Sequence, residues 1–168
     1  FGGGINDFTT NPEYFDNFYS VVADPHTGDL IWTEIGQSGS EWPTEREFMG
    51  MAASEDYVVV CGGSSGSGYT SINNKEDVCY LFDLSSGLWT EITAPGFGPG
   101  PRTGPTVFIK GNNIYVFGGV STYFQPLDDF WKYNIKSQTW SLINAANGPS
   151  ARYITSSFLR GNTLVVYG

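Results

Sequence analysis

The chain is poor in what most catalytic and nucleic-acid-binding proteins rely on. Only 8 of its 168 residues are Lys or Arg, against 17 Asp or Glu, for a formal net charge of −9. Nucleic acid, whose phosphates demand a basic face, is not an expected partner, and an anionic bilayer surface is disfavoured for the same reason. Apolar runs stop at five or six residues, far short of a spanning helix, so no membrane insertion is expected, and no signal peptide opens the chain. Cysteine is almost absent. Cys61 and Cys79 cannot staple a scaffold between them; at the end of one expected strand and early in the next, they are expected as buried free thiols, with a cross-strand disulfide as the alternative. No N-x-S/T acceptor occurs, and with so few cysteines the expectation leans to the cytoplasm. No window of a dozen residues keeps apolar spacing of three and four without Gly, Pro or β-branched interruption, so helix is expected to be nearly absent.

What the chain does have is glycine and aromatics: 22 Gly, 12 Phe, 10 Tyr and 5 Trp. That composition suits many short strands joined by glycine turns, in one domain's worth of chain. One layout recurs three times. Arg46 precedes Gly62, Arg102 precedes Gly118 and Arg152 precedes Gly168 by the same sixteen positions. Each copy runs from arginine through an apolar stretch, a polar turn and a second apolar stretch to glycine, which is a β-hairpin. Expected hairpin strands lie at 47–53 and 57–61, 106–109 and 113–117, and 154–159 and 164–167. Further strands are expected at 18–23, 31–35, 77–82, 88–93, 130–133 and 139–143, with a loop from 1 to 17. Runs such as YVVVC and IYVF are apolar on both faces, which places them between packed sheets. From the first glycine to the next tryptophan the gap is 30, 27 and 22 residues for Trp32, Trp89 and Trp140. Length therefore varies after the glycines while the hairpin stays constant, the signature of a radial β-repeat.

These residues resemble the kelch-repeat family. Its marks are a glycine pair ending the second strand, an aromatic in the third and a tryptophan opening the fourth. They stand here as Gly118, Gly119, Tyr133 and Trp140, and as Gly62, Gly63, Phe82 and Trp89. The first copy has Gly2, Gly3 and Trp32, but Ala23 stands where the aromatic belongs. The resemblance implies an all-β, kelch-type β-propeller fragment of about three four-stranded blades, part of a six- or seven-bladed ring. On that pattern 1–45 is an outer half-blade with its loop, 46–101 and 102–151 are full blades, and 152–168 is an inner half-blade. A chain that opens in mid-repeat is expected to be contiguous with further blades or part of a larger assembly; two copies closing a six-bladed ring is the alternative.

Some enzymes are built on such propellers. A copper site of the galactose-oxidase type needs two histidines, tyrosine ligands and a Cys–Tyr link. An iron site of the nitrile-specifier type needs E-x-x-x-D-x-x-x-H. This chain has His26 alone, in the turn DPHTG, and no phosphate loop. No catalytic residue, metal or cofactor is therefore expected in this segment. The alternative is a propeller enzyme whose catalytic residues lie outside it. Asp128 and Asp129 repeat the position of Glu76 and Asp77 and are read as structural, capping a turn or pairing with the recurring arginine. What remains is a protein-interaction scaffold. The loops after each glycine pair and the arginines emerge at one end of the sheets, and there Arg46, Arg102, Arg152, Tyr14, Phe15, Tyr69, Tyr123 and Phe124 are the candidate contacts for a protein partner.

Overall fold

The computed structural model describes residues 2–5, 14–36, 41–64, 79–94 and 96–168. Among them it is all strand, turn and loop, without helix. The first sheet is β1 (Gly2–Ile5), β2 (Tyr14–Ala23) and β3 (Leu30–Ile35), in that order. The second is a meander of β4 (Gly50–Ala53), β5 (Tyr57–Cys61), β6 (Cys79–Asp83) and β7 (Leu88–Ile92). A short pair follows, β8 (Arg102–Thr103) with β11 (Val120–Ser121). Around it the third sheet runs β9 (Thr106–Lys110), β10 (Asn113–Phe117), β12 (Phe130–Asn134) and β13 (Thr139–Leu142). A final hairpin joins β14 (Ser156–Arg160) to β15 (Thr163–Tyr167). Every pairing is antiparallel.

Position in the stack explains the doubly apolar strands. Val58 and Val60 of β5 turn to the first sheet, in a cluster with Phe18, Tyr80, Phe82 and Trp89. Val59 and Cys61 turn to the third sheet, in a cluster with Val107, Ile114, Val116, Trp131 and Trp140. A strand between two sheets has no solvent face, so the period-two alternation vanishes. Strand β4 lies against β9, and β9 against β14, so the first strand of each hairpin unit is innermost. Gly50 sits at a close approach of β4 to β9: a Cβ there would fall 2.7 Å from the Pro105 carbonyl oxygen and closer still to the Val107 side chain.

The structure corrects four expectations. Residues 2–5 form a strand rather than loop, and β2 begins at Tyr14, so Tyr14 and Phe15 belong to a sheet. The first inner hairpin begins at Gly50 rather than Glu47, because Glu47 pairs instead with Ser64. In the first sheet the residue opposite Trp32 is Val21 and not Ala23, a register that only the paired strands reveal, since the turn from Asp24 to Asp29 is longer than its counterparts. Finally, Cys61 and Cys79 face each other as a register pair, with Cα atoms 4.1 Å apart, and are joined as a disulfide.

The recurring tryptophans differ by position. Trp89 and Trp140 are 4% and 9% exposed, whereas Trp32 is 56% exposed. Trp89 packs on Phe82 of its own sheet, on Phe18 of the preceding sheet and on Trp42 in the connecting segment, at ring separations of 5.1, 4.8 and 5.5 Å. Trp32 points to the side where a preceding sheet would stand, and among the described residues none does.

Candidate functional site

One end of the sheets carries the arginines, the glycine pairs and the loops that follow them. Arg46 donates from Nη1 to the Gly62 carbonyl at 2.9 Å, Arg102 to Gly118 at 2.8 Å, and Arg152 to Gly168 at 3.0 Å. The sixteen-residue spacing is therefore the length of a hairpin closed by its own arginine. Each Nε also reaches back two residues, to the carbonyls of Thr44, Gly100 and Ser150. The glycine pair completes the joint between repeats. Gly63 N–H donates to the Arg102 carbonyl at 3.0 Å and Gly119 N–H to that of Arg152 at 2.9 Å. Gly118 and Gly119 have φ of 65° and 101°, and a Cβ on them would lie 2.5 Å from the Arg152 oxygen and 2.9 Å from the Thr103 oxygen. Only glycine satisfies both the left-handed backbone and the approach.

Arg102 has a further partner. Its guanidinium forks onto Asp129, Nη1 to Oδ1 at 2.7 Å and Nη2 to Oδ2 at 2.8 Å, and Trp131 Nε1 donates to the same Oδ2 at 2.6 Å. The carboxylate thus pairs with the recurring arginine. Arg46 lies 5.2 Å from the Tyr80 ring centroid. Burial raises the Tyr80 hydroxyl above its ordinary value, an effect the Arg46 charge opposes; burial also raises Tyr133.

Of the candidate contact residues, Arg46 and Arg102 are buried and Arg152 is half-buried, each spent on its own repeat. Tyr14 falls in β2, Phe15 is half-buried there, and its carbonyl accepts from Arg46 N–H at 3.4 Å. Tyr69 lies outside the described residues. Tyr123 and Phe124 stand out, 83% and 51% exposed. They cap a short loop built on Ser121, whose hydroxyl accepts from Tyr123 N–H and Gln125 N–H at 3.3 Å. Ser121 N–H donates to the Gln125 carbonyl at 3.0 Å, and Phe124 N–H to the Ser121 carbonyl at 3.0 Å. Phe124 sits at φ 57° to close the turn. A β-bridge from Val120 to Pro126 and the β8–β11 pair fix the base. The tip is therefore an aromatic pair on a braced loop, with its ordering cost met inside the fold.

The sequence reading did not single out Glu47. Its side chain is 5% exposed, Oε2 has no hydrogen-bond partner, and burial raises its carboxyl above the ordinary value. A charged residue directly after a pinned arginine was the only available signal. Among the described residues no group of three or more His, Cys, Asp or Glu could hold a metal ion, and no helix is long and apolar enough to cross a membrane.

Comparison with known proteins agrees with this architecture. The family model described as the KLHDC2/KLHL20/DRC7 Kelch-repeats domain matches residues 1–168. Kelch domain-containing protein 3 of Rattus norvegicus is 31% identical over 122 residues, 68% of this chain and 29% of that protein. The tRNA wybutosine-synthesizing protein 2/3/4 of Oryza sativa subsp. japonica is 34% identical over 92 residues, 55% of this chain and 8% of its own length. Adagio protein 3 of Arabidopsis thaliana is 31% identical over 91 residues, 52% of this chain and 15% of that protein. The chain thus spans less than a third of the length of each of these relatives.

Proposed function

The chain belongs to the kelch-repeat family, and from that premise we propose that it is a non-catalytic scaffold that binds a protein partner through the loops that follow its glycine pairs. The observation that carries this reading is the braced Tyr123–Phe124 tip. Large aromatic side chains carried on a backbone already ordered before contact are the chemistry of interface anchors, because little loop entropy remains to be lost on binding. The arginines at the same end support the reading indirectly: by closing each hairpin they hold the loop bases at fixed positions. A scaffold of this kind needs no metal and no general acid. Cytoplasmic residence fits the proposal only with Cys61 and Cys79 held as thiols, since the glutathione pool keeps most cytosolic pairs reduced.

The test compares the parent with a Tyr123→Ala/Phe124→Ala double variant in quantitative affinity capture from cells of the source organism. Both side chains are exposed, so the melting temperature is expected to stay within a degree or two of the parent. Recovery of the captured proteins is expected to fall at least tenfold. Equal recovery by a variant of unchanged stability would place binding elsewhere.

A further inference from the structure

Both cysteines of the chain stand on one row of one sheet. Cys61 is the last residue of β5, Cys79 is the first of β6, and the two are register partners. The other repeats show what this row ordinarily holds. The residue before the first repeat glycine is Phe1, Phe117 or Tyr167 in the other copies and Cys61 in the second. The residue three positions before the partner of the recurring tryptophan is Phe18 in the first sheet, Phe130 in the third and Cys79 in the second. Phe117 and Phe130 pair across the third sheet with their rings 6.0 Å apart, edge to face. In the second sheet both members of this aromatic row are replaced together by cysteine, and the chain uses that residue nowhere else. Any small apolar residue would fill the space on either strand. Two cysteines facing each other supply what no other pair can, a bond that forms and breaks.

The row lies at the joint between the second and third sheets. Cys61 is followed by Gly62, whose carbonyl accepts from Arg46 Nη1 at 2.9 Å, and by Gly63, whose N–H donates to the Arg102 carbonyl at 3.0 Å. Both cysteines are 2% exposed and pack in the cluster that holds Val107, Ile114 and Trp131. That packing and the strand pairing do not depend on the sulfur–sulfur bond, so the fold persists with two thiols, which behave as small apolar groups. The bond adds a covalent tie across 18 positions and restrains every state in which the ends of β5 and β6 part. Because each cysteine is terminal in its strand, opening of a single row brings both sulfurs to solvent, and strand ends open at far lower cost than strand centres.

We propose that Cys61 and Cys79 are a thiol–disulfide switch that locks the end of β5 to β6 where the second and third sheets join. A small disulfide such as oxidised glutathione closes it. One cysteine thiolate attacks a sulfur of the oxidant, the oxidant's sulfur–sulfur bond breaks, and a glutathione thiolate leaves. The second cysteine then attacks the mixed disulfide and expels the other glutathione. The pair gives up two electrons and two protons, and one glutathione disulfide becomes two glutathione thiols. Glutathione in its thiol form reverses both steps. The lock stiffens the end of the sheets at which a partner is proposed to bind, but it stands on the cysteine row alone, and its test uses no partner.

Intact-mass counting of alkylated thiols on the 168-residue chain, equilibrated at pH 7 across a series of glutathione redox buffers, tests the chemistry. Molecules with two free thiols and molecules with none are expected, exchanging through one midpoint approached from either direction. Thermal denaturation followed by circular dichroism tests the lock. The closed form is expected to melt about 5–10 °C above the open form, with the same β-sheet spectrum, and a Cys61→Ala/Cys79→Ala variant is expected to melt alike in both buffers. Amide exchange at Gly63 is expected to be about tenfold faster in the open form, with β10 unchanged. A chain that keeps both thiols in oxidising buffer, a bond that glutathione cannot reopen in the folded chain, an open form without the β-sheet spectrum, or two forms that melt within a degree of each other would each overturn the proposal.

Discussion

Replacing Arg102 by alanine should destabilise the fold, and should do so through Asp129. The Arg102 side chain is 4% exposed and that of Asp129 28%. The substitution removes the forked pair at 2.7 and 2.8 Å, the bond to Gly118 and the bond to Gly100. Asp129 is left with Trp131 Nε1 as its side-chain donor. Removing one partner of a buried ion pair costs roughly 3–5 kcal/mol, because the remaining charge stays desolvated. The partial exposure of Asp129 lets water in, which places the expected loss near the lower end, about 3 kcal/mol. At about 2–4 °C per kcal/mol for a chain of this size, the melting temperature should fall by roughly 6–12 °C. Thermal denaturation followed by circular dichroism reads this directly. A double-mutant cycle with Asp129→Asn separates the pair from the backbone bonds: the Arg102→Ala loss should shrink by at least 1 kcal/mol when Asp129 is already neutral. If Arg102→Ala melted within two degrees of the parent, the pinning role of this arginine would be refuted; if the two losses were additive, the contribution of the Asp129 pair would be.

Trp140→Ala should cost about 3–5 kcal/mol in chemical denaturation, as expected for a buried indole between sheets; a loss under 1 kcal/mol would remove Trp140 from the core. Glu47→Gln should raise stability at pH 7. Burial raises the folded-state value of the Glu47 carboxyl above the ordinary 4.5, so folding takes up a proton and stability falls as pH rises through the interval between the unfolded and folded values. The gain in the variant should vanish below about pH 4, where the parent carboxyl is protonated in both states; a gain that persists at pH 3 would deny the link to ionisation.

Much of the candidate site was legible in the sequence. The constant spacing from Arg102 to Gly118 pointed to a hairpin, and the glycine pair to positive φ and close backbone approach, because these are local demands that only one residue type meets. A carboxylate partner for the recurring arginine was legible in the repeated acidic position, but which arginine it reaches was not. Arg46, Arg102 and Arg152 look alike in sequence, yet Asp129 reaches Arg102 from 27 residues away while the Tyr80 ring lies beside Arg46. Loop aromatics were indistinguishable too: Phe15 proved to lie half-buried in a strand and Tyr123 in open solvent, a difference made by where β2 begins and by the Ser121 hydrogen bonds.

By itself the sequence determined that this is an all-β repeat protein with constant hairpins and variable loops, since strand period, turn glycines and repeat spacing are properties of neighbouring residues. Tertiary structure alone decided the rest. The register that sets Val21 against Trp32, the joining of Cys61 to Cys79, and the burial of Trp89 beside the exposure of Trp32 all depend on which backbone lies alongside. Identical motifs acquire different environments because each face of a sheet is buried only by the neighbouring sheet, and that neighbour is not written in the motif.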